Sequence, residues 1–162
     1  MLAYTDFQEA FHLYARKLLA NIYSKLGSKP VPGEDHQLAL LRSRVLGLLV
    51  SCKDPQVLQE AKSQFESHLT KINLIPADLR QPIYRAVAGD CDEKTFESFF
   101  QLYRESDLQE EKNRIARSLG ASKDPVRIRK VIDFAMSVSA RLCFKRFARS
   151  ISVSLSKFKW PF

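Results

Sequence analysis

Apolar residues recur at steps of three and four along nearly the whole chain. Phe7, Phe11, Tyr14, Leu18 and Ile22 form one such series, which predicts an amphipathic helix ending near Gly27. The stretch "GSKPVPGED" that follows is a loop by composition, rich in residues that interrupt helices. Leu38, Leu41, Val45, Leu48 and Cys52 form a second stripe, widened by Leu40, Leu46, Leu49 and Val50. Apolar on most sides, this helix is expected to be buried and to carry the core.

The tripeptide Lys-Asp-Pro occurs twice, at Lys53-Asp54-Pro55 and Lys123-Asp124-Pro125, each time ahead of a new stripe. Leu58, Ala61, Phe65 and Leu69 follow the first; Ile128, Val131, Ile132 and Ala135 follow the second. An Asp side chain accepts a hydrogen bond from a free amide of the first helical turn, and Pro at the first helical position has no amide to leave unpaired. Both copies are therefore read as helix starts rather than as chemistry. Asp92 is a third start, with Phe96, Phe99, Phe100 and Tyr103 behind it as core rather than as a stacking platform. Asp54, Asp92 and Asp124 are 38 and 32 residues apart, and each interval holds a second helical series. Leu79, Ile83 and Val87 form one; Leu108, Ile115 and Leu119 form the other, opened by a Ser106/Gln109 capping box and stopped at Gly120. Helix pairs at this period predict an all-α chain with the architecture of an α-solenoid, each pair burying its apolar face against the next.

Past Ser137 the pattern changes. Ile151, Val153 and Leu155 alternate with serines, a strand-like period of two. Charge changes at the same place: the chain carries a net charge of +8, and residues 138–162 hold six of its basic residues and none of its acids. Residues 1–137 are thus expected to form the folded part, and 138–162 a basic tail, disordered or foreign to the rest. Phe144, Phe147, Phe158 and Trp160 stand among the tail's cations, a composition suited to weak, nonspecific binding of anions such as nucleic acid or an anionic membrane. Three cysteines, Cys52, Cys91 and Cys143, make an odd number at no framework spacing, and with no apolar run of signal-peptide or membrane-spanning length they point to a cytoplasmic protein.

Candidate chemistry is sparse. A catalytic zinc site commonly takes two His one helical turn apart and a carboxylate, and His12, His36 and His68 are scattered singly. The five glycines include no phosphate-cradling run, and no nucleophile motif is present. No cofactor and no metal are expected in this chain. Glu110, Glu111, Lys112 and Arg114 form its densest charge cluster, with Glu110 and Arg114 spaced for an ion-paired, solvated helix face. Arg114 and Arg117 are weak candidates for contact with an anionic ligand, on charge alone.

Several blocks taken in order carry a resemblance: "YARKLLANIYSKLG", "PGEDHQLALLRSRVL", "IPADLRQPIYRAVA", "FESFFQLYRESDLQEEKNRIARSLGASKDP" and "VIDFAMS". Over residues 5 to 137 the chain resembles the helical C-terminal domain of puromycin-sensitive aminopeptidase and its gluzincin relatives. The resemblance implies a solenoid of HEAT-like helix pairs closing over a separate zinc-bearing catalytic domain, where zinc and a Glu activate water to remove N-terminal residues from peptides. The family's Gly-Ala-Met-Glu-Asn and His-Glu-x-x-His motifs do not occur in this sequence, so no catalytic residue carries over. The implied role is that of a non-catalytic piece of the substrate-enclosing domain, with a peptide substrate or an aminopeptidase catalytic domain as partner. An independent solenoid adaptor with a basic tail that binds nucleic acid or membrane is the alternative. The stripe behind Asp124 closes the recognisable array with its apolar side still open, so an exposed apolar patch near the carboxyl end and self-association are expected.

Overall fold

A computed structural model of the chain describes residues 7–31 and 33–136; the tail read at 138–162 lies outside them. The described residues form seven helices and no strand: α1 (Gln8–Leu26), α2 (His36–Ser51), α3 (Pro55–Leu69), α4 (Ala77–Gly89), α5 (Glu93–Glu105), α6 (Gln109–Leu119) and α7 (Pro125–Met136). The fold is all-α and agrees with the solenoid-like arrangement read from the spacing, with α1 against α2, α2 against α3 and α5 against α6. Two compact units divide the chain, Met1–Ala86 and Val87–Phe162, the division falling inside α4.

Aspartates open α3, α5 and α7. Asp54 Oδ1 accepts from the amides of Gln56 and Val57 at 3.1 and 3.2 Å, with Pro55 as the first helical residue. Asp92 Oδ1 accepts from Thr95 N at 3.0 Å, and Asp124 Oδ1 from Val126 N at 2.9 Å ahead of Pro125. Each bond satisfies an amide that the first turn leaves without a helical partner. Ser106 stands elsewhere. It is the residue that closes α5, its amide donating to Leu102 O at 3.1 Å, while α6 opens after Leu108 with no side-chain cap. Gln109 is the first residue of α6 rather than its third, and its side chain turns forward to Asn113 Oδ1 at 3.4 Å instead of back to Ser106. Glu110 and Glu111 in the first turn complement the positive end of α6 instead.

Two helix ends share a tighter device. Lys53 at φ 56° and Lys71 at φ 57° follow α2 and α3 in the left-handed region. Around Lys53, Asp54 N donates to Leu49 O and Lys53 N to Val50 O, both at 3.0 Å. Around Lys71, Ile72 N donates to Ser67 O and Lys71 N to His68 O, both at 3.1 Å. These are paired Schellman bonds, built with lysine where glycine is the usual occupant.

In the first unit the buried apolar residues come from α2 (Val45, Leu46, Leu49), α3 (Val57, Ala61, Phe65) and α4 (Leu79, Ile83, Tyr84), with the Phe65 and Tyr84 rings edge-on at 5.7 Å. Pro82 sits inside α4 and has no amide for the carbonyl four residues back, that of Asp78. The hydroxyl of Ser43 on α2 donates to that oxygen at 2.7 Å, so the proline supplies a tether between α2 and α4.

In the second unit α5 buries Phe96, Phe99, Phe100 and Tyr103, α6 buries Ile115 and Leu119, and α7 buries Val131 and Ala135. Phe134 of α7 packs edge-on against Phe100 and Tyr103 at 4.8 and 5.0 Å. Lys130 pairs with Glu93 and, at 3.0 Å, with Glu97, which ties α7 to α5 along its polar edge. The apolar stripe of α7 is therefore largely covered, because α5 presents aromatic rings to it. Ile128 and Ile132 are half-buried, and only Val126 and Met136 at its two ends are well exposed. Exposed apolar rows lie instead on α1 and on α2, where Leu38, Leu40, Leu41 and Leu48 are exposed. The helix expected to be buried on most sides is thus buried along Val45, Leu46, Leu49 and Val50 only.

Candidate functional site

α1 carries two apolar rows. Ala15, Leu19, Tyr23 and Leu26 are half-buried on one side, while Phe7, Phe11, Tyr14, Leu18 and Ile22, the row that periodicity picks out, are exposed. No residue of α1 is fully buried. Polar anchors hold it in this rotation. Arg16 donates from Nε and Nη2 to Cys52 O at 2.8 and 2.5 Å and from Nη2 to Lys53 O at 2.7 Å, placing a cation on the carbonyl end of α2. Tyr23 Oη donates to Glu60 Oε2 on α3 at 2.6 Å. Arg42, a buried guanidinium on α2, donates to Leu26 O at 3.1 and 3.0 Å and forks onto Glu34, with Nη2 to Oε2 at 2.6 Å. One arginine thus fastens the last turn of α1 and the following loop together.

These anchors tune one another. Burial and then the bond to Glu60 push the Tyr23 phenol well above its ordinary pKa. Burial acts to raise the Glu60 carboxyl, but hydrogen bonds from Tyr23, Gln56 and Ser28 outweigh it and hold Glu60 below the usual carboxylate range. Glu34 is likewise held low, chiefly by its bond from Arg42. At neutral pH Glu34 and Glu60 are thus ionised and the Tyr23 phenol keeps its proton, so these pairs fix position.

The charge cluster read on α6 is an ion-pair network. Arg114 donates to Glu111 Oε2 at 2.9 Å and to Glu110 Oε1 at 2.6 Å; Glu110 is exposed and Glu111 buried. Its guanidinium is thus committed to two carboxylates. Arg117, three residues on, is exposed. Lys112 sits over the Tyr103 ring at 5.7 Å, a cation held against the face of α5.

The side chains do not fit the zinc that the resemblance implies for a neighbouring domain. His12 lies on α1, His36 opens α2 and His68 lies on α3. His68 is buried with both ring nitrogens engaged: Nδ1 accepts from Ile75 N at 3.3 Å, and Nε2 lies 3.0 Å from Tyr84 Oη. Among the described residues no three His, Cys, Asp or Glu come close enough to hold a metal ion. A shallow cleft in the first unit, bordered by Val50, Val57, Glu60, Ala61 and Ile83, has a cavity volume of about 10 Å³, room for about one water molecule and not for a small-molecule ligand. No described helix is long and apolar enough to cross a membrane.

Arg16, Tyr23, Glu34, Arg42, Glu60 and the His68–Tyr84 pair are absent from the reading of the sequence. Arg42 carried a signal, a charge set within the apolar run "LALLRSRVL", where burial demands a partner. The others sit on ordinary polar positions and acquire meaning only through contacts many residues away.

Residues 1–152 match the family of the ERAP1-like C-terminal domain. The matched span runs beyond the boundary at 137/138 read from charge and periodicity. Aminopeptidase M1 of Arabidopsis thaliana is 38% identical over 122 residues, which cover 72% of this chain and 14% of that protein. Aminopeptidase M1-A of Oryza sativa subsp. japonica is 31% identical over the same extent, and glutamyl aminopeptidase of Bitis rhinoceros 32% identical over 115 residues, 70% of this chain and 12% of that protein. The chain therefore spans only about a seventh of the length of the relatives it matches. A helical fold whose sequence matches a domain family over nearly its whole length, and aminopeptidases over about seven-tenths of it, has one assignment: the chain belongs to the ERAP1-like C-terminal domain family.

Proposed function

We propose that this chain is a non-catalytic segment of the C-terminal helical domain of a zinc aminopeptidase that removes N-terminal residues from peptides, and that it helps wall the substrate cavity. The match to aminopeptidases over 122 residues carries the reading. The donor set supports the non-catalytic part of it, since three separated His, one of them with both nitrogens occupied, make no open zinc site. Zinc belongs to another part of such an enzyme, where it activates water. Peptide substrate and the catalytic portion are the partners, with Arg114 and Arg117 as candidate contacts to the peptide. The unpaired Cys52 and Cys91 support a reducing, cytoplasmic setting.

The experiment has two arms. The purified chain is expected to hold no stoichiometric zinc and to hydrolyse no aminoacyl-coumarin; one equivalent of metal with chelator-sensitive turnover overturns the non-catalytic reading. Grafted in place of the matched segment of Arabidopsis aminopeptidase M1, the chain is expected to preserve turnover of short substrates and to alter the preference for peptide length. A graft with unchanged length preference overturns the cavity-wall role.

A further inference from the structure

His68, in the last turn of α3, ties that helix to the connector 70–76 and to α4. Ile75 N donates to its Nδ1 at 3.3 Å, and its Nε2 lies 3.0 Å from the hydroxyl of the fully buried Tyr84. A ring nitrogen that accepts from an amide carries no proton, so the imidazole is the neutral tautomer with its hydrogen on Nε2, donated to Tyr84 Oη. A second proton has only Nδ1 to go to, where it opposes the Ile75 N–H and costs that bond. The folded site therefore suits the neutral ring and not the imidazolium.

The charges around it do not reverse this preference. Arg80, four residues before Tyr84 on the same face of α4, donates from Nε to Ile75 O at 2.9 Å, so a cation already sits on the residue that His68 holds and repels a second one. The negative end of α3 favours a cation, but its carbonyls are occupied: Glu66 O by Thr70 N, Ser67 O by Ile72 N and His68 O by Lys71 N, each at 3.1 Å. Of the other charged groups on α3, the connector and α4, Lys62, Glu66, Lys71, Asp78 and Arg85 are exposed, and Glu60 is bonded to Tyr23. On α2, Arg42 is paired with Glu34 and Arg44 is exposed.

We infer that His68 is a pH-sensitive latch: protonation of Nδ1 releases Ile75 and, with it, the connector between α3 and α4. Ile75 is the one buried residue of that connector, whose Ile72 and Leu74 are already 75 and 67% exposed, so release adds a third apolar side chain to the same exposed segment. The closed latch takes no proton, and the released ring takes one at the ordinary imidazole value of about 6.5. Its hold is therefore complete above that pH and is lost as pH falls below it, with the closed-to-open ratio dropping ~10-fold between about pH 7.5 and 5.5.

The test is made on the 162-residue chain carrying His12→Gln and His36→Gln, which leaves His68 as its only histidine. Amide exchange is divided by the intrinsic rate at each pH. Protection of Ile75 N–H is expected to be steady from about pH 8 to 7 and ~10-fold lower at about pH 5.5, with Phe99 and Phe100 on α5 unchanged. His68→Gln, whose carbonyl can accept from Ile75 and whose amide can donate to Tyr84 without titrating, is expected to remove the pH dependence. Protection of Ile75 that survives the acid step, that falls equally in α5, or that falls alike in His68→Gln overturns the latch. Nitrogen-15 NMR of the histidine ring keeps the test decisive if His68→Gln does not fold. At about pH 7.5 it is expected to show a protonated Nε2 and a bare Nδ1, and the opposite tautomer or a charged ring overturns the inference.

Discussion

α1 and α5 carry apolar rows of the same period, and the fold treats them oppositely. α5 buries Phe96, Phe99, Phe100 and Tyr103 to 5% exposure or less, whereas the row of α1 from Phe7 to Ile22 is exposed throughout. Aromatic packing places α5: Phe96 meets Phe100 at 5.5 Å, and Phe134 of α7 meets both Phe100 and Tyr103. Hydrogen bonds place α1, through Arg16, Tyr23 and Arg42. A helical period thus establishes that a helix has an apolar side and leaves open whether that side has a neighbour in the same chain. The contrast is sharpest in substitution. Phe96→Ala should lower stability by about 3 to 5 kcal/mol, the cost of emptying an aromatic core site. Phe11→Ala should change it by less than about 0.5 kcal/mol, as for an ordinary surface position. Urea melts of the isolated chain measure both, and comparable losses would show that the α1 row is packed as that of α5 is.

The polar attachment of α1 should be the next most sensitive point. Arg42→Met keeps an apolar stem and removes the guanidinium, leaving the Leu26 carbonyl without that donor and the Glu34 carboxylate with the weaker 3.3 Å bond from Val31 N. A loss of about 2 to 3 kcal/mol is expected, the range for hydrogen bonds to charged groups. Amide exchange should rise first in α1, since its last turn is what Arg42 fastens. Uniform exchange across the chain would show that α1 is held by something other than its anchors.

Tyr23→Phe removes a single hydroxyl, and about 1.5 kcal/mol should go with the bond to Glu60 at neutral pH. The pH profile tests the cause. Glu60 is held below its ordinary range, so its contribution is present above the unfolded value of about 4.3 and is lost as pH falls through the lower, folded value. Tyr23 is raised by burial and by Glu60, so its contribution is complete below about pH 10 and is lost as pH rises further. The gap between wild type and Tyr23→Phe should therefore be flat between these limits and narrow in acid below about pH 4. The absence of a gap at neutral pH would mean that the ring, not its hydroxyl, seats α1.

Helix starts were the most legible part of the fold. Asp54, Asp92 and Asp124 act within three residues of themselves, and a local rule suffices for a local bond. Ser106 shows the limit of the same rule, since where α6 begins depends on how α5 ends. The four aromatic residues of α5 were legible as core because no other role suits so apolar a row. Which row of α1 faces in, and whether α7 stays open, depended on partners distant in sequence, such as Cys52 for Arg16, Glu60 for Tyr23 and Tyr103 for Phe134. The candidate site was the least legible. Arg114 attracts notice by charge, yet its charge is engaged by its own helix, and the anchors that orient α1 sit at ordinary polar positions. Asp54→Ala sharpens this division between local and distant. It should lower stability by about 1 kcal/mol, and Asp54→Asn, which keeps the accepting oxygen, should restore most of the loss. Failure of Asn to rescue would give the carboxylate a role beyond capping.

The smallest effect should have the opposite sign. The two Lys-Asp-Pro segments share an aspartate start but differ in their lysine: Lys53 is left-handed at φ 56°, and Lys123 is not among the positive-φ residues. Lys53 occupies the position after α2 where a side chain is strained by roughly 1 kcal/mol and glycine is not. Glycine also adds freedom to the unfolded chain, which offsets about 0.4 to 1 kcal/mol of the relief. Lys53→Gly should therefore stabilise by a few tenths of a kcal/mol at most, judged from these two opposing terms, while Lys123→Gly should only destabilise. Arg16 bonds to the carbonyls of Cys52 and Lys53, so the turn relaxed by Lys53→Gly is also the seat of α1. Slower amide exchange in α1 should accompany the gain, with α5 unchanged. A Lys53→Gly protein less stable than wild type, with faster exchange in α1, would show that the lysine side chain holds the turn that Arg16 reads.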